Sequence, residues 1–346
     1  MSLPQPHRVR PAHHLPDGTY RNPPGSPVRT LTPRQLWEFW LRMARQRRTP
    51  PRLPPGHVIP EDEALSAYHA AGDDSLTWLG HATCLLRAGG LTILTDPFLS
   101  SHAGPGRFGP RRIAEPAISV KRLPPFDVIL LSHNHYDHLD DTTIRRLPGK
   151  RDLMVVVPLG LSGYFRSRGY RNVTELDWRQ YIHLGTDRSE GGVRFTALTV
   201  VHWSRRFSQN HNATLWAGFS LRSATRHIYF GGDSAYGDVF RHVGAHHGPF
   251  DEAIVGIGAY APREIMRAVH ASPEEAVEMG VDLGARRLIA MHWGTVVLSS
   301  EPPFEPPVRF RAAGQARGYA DDNLWVMRIG ETRTLATARI AQTSNE

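Results

Sequence analysis

The segment Ser132-His133-Asn134-His135-Tyr136-Asp137-His138 places three imidazoles and a carboxylate within a few positions of one another. Nitrogen and oxygen donors at that density suit the holding of divalent cations. His133 and His135, two apart in an extended stretch, point the same way, whereas Asp137 and His138 turn into the following segment and reach a second point. One short loop can therefore serve two cations. A pair of cations roughly 3.5 to 4 Å apart needs about six or seven ligands, so further donors must come from distant loops. His202, Asp233 and His292 stand where they can arrive, each after an apolar run, at 198–201, 228–230 followed by two glycines, and 288–291. Separated positions converge in this way only when strands end on the same edge of a sheet. A carboxylate such as Asp233 can bridge two cations, which a neutral imidazole cannot. Taken singly, His202 and His292 would read as ordinary interior histidines. The set gives them their meaning.

The elements that must position these donors are legible as periodic runs. The run 128–131 directly before the loop is apolar throughout and reads as a buried strand, with the donors at its C-terminal end, where open α/β sheets place their sites. Runs at 76–79, 84–87 and 91–95 read as a meander broken at Gly89-Gly90. Beyond it, strand-like runs at 154–157, 193–201, 214–221, 227–230, 253–257 and 288–290 alternate with helical segments, so a layered α/β domain is expected. The clearest helix starts at Ser272, with Pro273 at its first position and Glu275 three residues after the cap. No internal repeat of fixed period is present.

Residues 1–30, rich in proline, histidine and arginine, read as an extended arm ordered only where it docks. Over 32–48 the spacing predicts a helix, with Thr32 as cap and Pro33 at the first position. Trp37, Trp40, Leu41 and Ala44 recur on one face, and Arg34, Arg42, Arg45 and Arg48 occupy much of the rest. Such a basic amphipathic helix suits a lipid interface, and equally packing on the domain or on a second subunit of a homodimer. A proline-rich linker over 49–60 completes an N-terminal part, 1–60, ahead of a domain over 61–346.

With 346 residues and 40% apolar content, the chain can bury a substantial core. Cys84 is the only cysteine, which excludes an intrachain disulfide and a thiolate metal cage. The net charge of +8 is almost wholly arginine, since Lys121 and Lys150 are the only lysines among 41 basic residues. That balance favours anionic partners, or reflects a compositional swap of lysine for arginine. No run approaches the roughly 20 apolar residues of a spanning helix, and no signal-peptide core opens the chain. A cytoplasmic location is expected, and a peripheral seat on the inner face of the membrane is compatible with it. Nucleic acid is not an expected partner, because no basic arm with interleaved aromatics is appended to clamp a strand.

The order Thr95-Asp96-Pro97, the HxHxDH loop, His202, Gly232-Asp233 and His292 resembles the five motifs of the metallo-β-lactamase superfamily across residues 75–330. Finer motifs resemble its N-acylphosphatidylethanolamine-hydrolysing phospholipase D family and bacterial relatives: His133-Asn-His-Tyr-Asp-His-Leu-Asp140, Val201-His-Trp-Ser-Arg205, Gly258-Ala-Tyr260 with Pro262-Arg263, His270 before Pro273-Glu274-Glu275, and Met291-His-Trp-Gly-Thr295. Arg21-Asn22-Pro23 also fits. The resemblance implies an αββα four-layer sandwich with two divalent ions at one edge, zinc first, with manganese or iron as alternatives. It assigns His133, His135 and His202 to one ion, Asp137, His138 and His292 to the other, and Asp233 to both. Asp96 would order the ligand loop by hydrogen bonding, and His81 would hold a turn or a supporting bond. Tyr136, Trp203, Tyr260 and Arg263 would line the substrate, with His270 near its phosphate and Arg205 or Arg263 able to grip it. The implied reaction is hydrolysis of N-acylphosphatidylethanolamine or a related phosphodiester to phosphatidate and an alcohol. Water activated between the metals is the nucleophile, and Asp137 and His270 assist proton movement. The alternative is a lactonase or a hydrolase of a soluble phosphorylated metabolite on the same dinuclear site.

Overall fold

A computed structural model of the chain describes residues 11–30, 32–48, 51–185, 191–207 and 209–335. The strands are β1 (Ser75–Gly80), β2 (Thr83–Ala88), β3 (Leu91–Thr95), β4 (Val128–Leu130), β5 (Met154–Pro158), β6 (Asn172–Leu176), β7 (Tyr181–Leu184), β8 (Val193–Leu198), β9 (Gly218–Arg222), β10 (His227–Phe230), β11 (Glu252–Gly256), β12 (Arg287–Met291), β13 (Leu324–Trp325) and β14 (Thr332–Thr334). They form two seven-stranded sheets, ordered β14-β1-β2-β3-β4-β5-β6 and β13-β12-β11-β10-β9-β8-β7. Each sheet has the same grammar. From β14 to β3 and from β7 to β10 the neighbours are antiparallel, and from β3 to β6 and from β10 to β13 they are parallel. A repeat thus exists in topology although the sequence carries no fixed period.

One apolar core drawn from both sheets fills the space between them. The helices are α1 (Pro33–Arg48), α2 (Glu61–Ala70), α3 (Asp141–Arg146), α4 (Ser162–Arg166), α5 (Val239–His247), α6 (Arg263–Met266), α7 (Pro273–Asp282) and α8 (Pro306–Ala316). α2 lies by β14 and α4 on β6, whereas α7 packs on β11 and β12 and against α5 and α8. This is the αββα sandwich. α7 begins as its sequence requires: the Ser272 side chain accepts from Glu275 N and the Glu275 side chain from Ser272 N, with Pro273 at the first position.

Several elements differ from the expectation. The run 193–201 leaves the ladder after Leu198, because Val201 N donates to Ser234 Oγ and Ala235 N to Val201 O. In the expected strand 214–221, Leu215 N donates to Leu159 O and Ala217 N to Ser132 O, so only Gly218–Arg222 joins the sheet. These departures place backbone beside the donor loop. β6 lacks a clean alternation of buried and exposed positions, and β7 is four residues long with none of them buried, which hid both from periodicity.

α1 carries the largest correction. Its start has reciprocal bonds, Gln35 N to Thr32 Oγ1 and Thr32 N to Gln35 Oε1. The buried face is Phe39 and Met43, packed with Ala259, Ile265 and Met266, rather than the face bearing the tryptophans. Trp37 and Trp40 remain 65% and 52% exposed, with Leu36 and Leu41 beside them and Arg34, Arg42 and Arg45 also outside. Helical spacing reveals apolar faces but not which of them finds a partner. The Arg48 side chain lies outside the described set, as do residues 1–10. In chemical denaturation, Met43→Ala is expected to destabilise by about 2 kcal/mol or more, and Trp37→Ala by under about 0.5 kcal/mol. The reverse order would show that the tryptophan face is the docked one.

Candidate metal centre

The donors arrive at one edge of the sandwich because the parallel strands of both sheets end there. β4 delivers His133, His135, Asp137 and His138; β10 delivers Asp233 after Gly231-Gly232; β12 delivers His292; the segment after β8 delivers His202. Gly232 (φ +54) is needed here, since a Cβ on it would stand 2.4 Å from Ser132 Cβ. His292 itself holds a left-handed conformation, φ 62, and its N–H donates to His81 O at 3.0 Å.

Two four-donor groups result, His133-His135-His202-Asp233 and His81-Asp137-His138-His292, each with its ligand atoms within 4.8 Å of one another. In the first, His135 Nδ1 lies 2.9 Å from His133 Nε2 and 3.2 Å from His202 Nε2. Asp233 Oδ2 lies 3.8 Å from His133 Nε2 and 3.7 Å from His202 Nε2. In the second, Asp137 Oδ2 is 3.5 Å from both His138 Nε2 and His292 Nε2. Asp233 also faces this group, with Oδ2 3.1 Å from His138 Nε2 and Oδ1 3.2 Å from His292 Nε2. The one carboxylate therefore looks into both groups.

The rings are aimed from behind. His133 Nδ1 meets Ser132 Oγ at 2.8 Å, His138 Nδ1 meets Asp96 Oδ2 at 2.6 Å, and His202 Nδ1 donates to Val269 O at 2.8 Å. Each arrangement leaves Nε2 for the interior. Asp96 also accepts from Ser132 N at 2.7 Å and Ser132 Oγ at 2.5 Å, so a wholly buried carboxylate fixes the start of the donor loop. His81 turns the β1–β2 corner at φ 55 and places Nε2 2.8 Å from Asp137 Oδ2, so it holds both a turn and a supporting contact.

Electrostatics suit cations. Burial, then the neighbouring imidazoles, push His133 well below its usual range; burial takes His135 to about 3 and His202 to about 4. Burial opposes the ionised form of Asp233, but His138, His292 and His270 outweigh it and hold its carboxyl well below the usual range. Burial likewise opposes charge on His292, yet Asp233 and Asp137 raise it to about 9. The buried His135 Nε2 has no hydrogen-bond partner, and His138 Nε2, His292 Nε2 and Asp233 Oδ1 have none beyond the imidazole–carboxylate contacts just described. Orphaned buried donors and acceptors are costly, and a nitrogen and oxygen donor set of this kind fits divalent cations.

The opening of the cluster is made by the partly exposed His135, Tyr136, Asp137, Trp203 and His270. His270 Nδ1 is 3.9 Å from Asp233 Oδ2, and the Trp203 ring stands edge-on to His135 with centroids 4.4 Å apart. Tyr136 Oη accepts from Phe207 N at 3.2 Å, with Arg206 over its ring. Two expected lining residues are placed elsewhere. Tyr260 is 2% exposed and donates to Glu305 Oε1 at 2.7 Å. Arg263 pairs with Glu275 Oε2 at 2.6 Å and donates to His270 O at 3.0 Å, so its guanidinium braces the segment rather than facing an anion. Arg205 is exposed. Sequence reasoning gave no role to Ser132, whose relay follows from its place between Asp96 and His133, and quoted Asn22 only within the Arg21-Asn22-Pro23 motif, without the bonds it makes to the His202 backbone.

Residues 92–293 match the β-lactamase superfamily domain. The chain is 34% identical over 283 residues to the N-acyl-phosphatidylethanolamine-hydrolyzing phospholipase D 1 of Caenorhabditis elegans, covering 79% of this chain and 77% of that one. It is 35% identical over 311 residues to an uncharacterized protein of Mycobacterium tuberculosis, covering 86% and 79%. Among solved structures, the isothiocyanate hydrolase from Delia radicum gut bacteria shares the fold, with a TM-score of 0.60 at 20% identity over 76% of this chain and 100% of that one. The chain thus belongs to the metallo-β-lactamase-fold hydrolases of the β-lactamase superfamily, in the family resembling N-acylphosphatidylethanolamine-hydrolysing phospholipase D.

Proposed function

We propose that this metallo-hydrolase is a phosphodiesterase of phospholipase D type that cleaves N-acylphosphatidylethanolamine or a related phospholipid to phosphatidate and N-acylethanolamine. The observation that carries the reading is the pairing of two donor groups around Asp233 with a mouth formed by His270, Trp203 and Tyr136. His133, His135 and His202 would hold one divalent ion, His138, His292 and Asp137 the other, and Asp233 both. Zinc is the first candidate. When bound, the ions supply water made nucleophilic at neutral pH and positive charge beside the phosphoryl oxygens.

The chain's own groups do the rest. His81 steadies the Asp137 carboxylate at the mouth, where it takes the proton of the attacking water. The water oxygen bonds to phosphorus as the P–O bond to the alcohol breaks, and the proton ends on the departing alkoxide. His270, partly open at the mouth, is placed to hydrogen-bond the phosphoryl group or that leaving oxygen. No side-chain nucleophile is required, so no covalent phosphoryl-enzyme forms.

A seat on an anionic membrane is part of the same proposal. α1 docks on Ile265 and Met266, and His270 N donates to Met266 O, so the exposed Trp37 and Trp40 sit on a helix braced against the segment that carries His270. Phe207, 93% exposed, hangs from Tyr136 at the mouth. Among the described residues no helix is long and apolar enough to cross a membrane.

Elemental analysis is expected to find close to two divalent ions per chain, with a sharp loss of both metal and activity in Asp233→Asn. Full metal and normal rates in that variant would remove the shared role of Asp233. In isotopically heavy water, the phosphatidate should carry the label and the released alcohol none; label in the alcohol would mean C–O cleavage. His270→Ala should lose activity while keeping its metal, and much faster turnover of lactones or small phosphorylated metabolites would overturn the lipid substrate while leaving the metal centre intact. Co-sedimentation with anionic vesicles should fall as salt rises, each basic residue near the surface contributing about 1 kcal/mol. Unchanged vesicle binding in a variant combining Trp37→Ala and Trp40→Ala would refute the seat.

A further inference from the structure

The described part of the N-terminal arm is bound to the domain by side chains whose purpose neither the fold nor the opening of the cluster explains. His13 Nε2 and His14 Nε2 meet the two oxygens of the Asp177 carboxylate at 2.6 and 2.8 Å. These are direct hydrogen-bond distances, and the His13 ring also stacks on Trp178 with centroids 4.2 Å apart. Between this clamp and α1, the chain folds back on itself through the His14–Tyr20 bridge, and Tyr20 N donates to Asn212 O at 3.0 Å. The next turn brings Asn22 against His202. Asn22 Nδ2 donates to His202 O at 2.8 Å, and Asn22 Oδ1 accepts from His202 N at 3.0 Å and from Trp216 Nε1 at 3.1 Å. An asparagine side chain offers both donor and acceptor on one rigid plane, so it can replace a strand neighbour for a single residue. His202 needs one, because its segment has left the β8 ladder. Trp178 Nε1 donates to Trp216 O at 2.7 Å, which links the clamp to the residue that shares the Asn22 acceptor.

We propose that the arm is a working part of the metal centre: Asn22 is a positioning residue that fixes the His202 backbone, and the His13-His14-Asp177 clamp holds Asn22 in place. The ring of His202 is aimed by Val269 O and its main chain by Asn22, so the two contacts together set where Nε2 points. This inference rests on the reading of His202 as a metal ligand.

The test is cobalt(II) titration of the metal-free, full-length chain, read by the visible absorption of the bound ion, which reports ligand geometry without turnover. Asn22→Ala is expected to weaken cobalt binding by about 10- to 100-fold and to shift the spectrum. The unfolding temperature of the metal-free chain should change by less than about 4 °C. Asp177→Ala, which releases both imidazoles, should shift affinity and spectrum in the same direction to a smaller extent. Wild-type affinity and spectrum in Asn22→Ala overturn the proposal whatever happens to stability. If Asn22→Ala does not fold, Asn22→Asp decides, since it keeps the acceptor for His202 N and loses the donor to His202 O: an altered spectrum supports the proposal and an unaltered one overturns it. A wild-type chain that takes up no cobalt would remove the metal reading and this inference together, whereas normal wild-type binding with an indifferent Asn22 removes this inference alone.

Discussion

Burying Asp96, Asp233 and several imidazoles at the edge of an apolar sandwich is the constraint that shapes this molecule. A charge or an unpaired polar group away from water is expensive unless it is fully partnered. Asp96 shows one solution, in which Ser132 N, Ser132 Oγ and His138 Nδ1 converge on a carboxylate with no solvent exposure. Asp233 shows the other. Its surroundings are imidazole nitrogens, those of His133, His138 and His202 facing inward with their opposite sides tied down, so the compensation left to it is a proton or a cation. The backing contacts matter as much as the donors, because each fixes which nitrogen is free.

The topology explains why this cluster can be assembled at all. Both sheets change from antiparallel to parallel at their middle strand, and the parallel strands β3, β4, β10 and β12 end at one edge. Asp96, His133 at the head of the HxHxDH loop, Asp233 and His292 all follow within three residues of the ends of those ladders. His202 is the exception, since β8 runs antiparallel to β9 and its continuation after Leu198 is held by scattered bonds to Ser234, Ala235, Trp216 and Asn22 rather than by a ladder. The donor with the least sheet behind it is the one braced by the arm.

This contrast separates what the sequence reveals from what it hides. The HxHxDH loop is readable because its donors are close in sequence and the geometry of an extended segment follows from spacing two. Asp233 and His292 are readable because apolar runs precede them, and a buried strand announces itself by composition. The α7 start is equally local, needing only Ser272, Pro273 and Glu275. Asn22 is not readable in that way, because its partners are the backbone of a residue 180 positions away and the indole of Trp216. The docked face of α1 fails for a related reason: Phe39 and Met43 are no more apolar than Trp37 and Trp40, and only the presence of Ile265 and Met266 decides between them. Tyr260 and Arg263 illustrate a third limit, where residues near in sequence to His270 are drawn away by Glu305 and Glu275.

The same partners clarify the character of the mouth. With Arg263 committed to Glu275 and Arg206 buried over Tyr136, the guanidinium groups left at this face are the exposed Arg205 and Arg29, the latter over the Trp203 ring at 5.9 Å. Further guanidinium charge lies on α1 at Arg34, Arg42 and Arg45, beside exposed indoles. Positive charge at the rim and on the approach, with aromatic rings at the opening, suits the proposed substrate, a molecule whose single phosphodiester lies at the surface of an anionic layer and whose remainder is hydrocarbon.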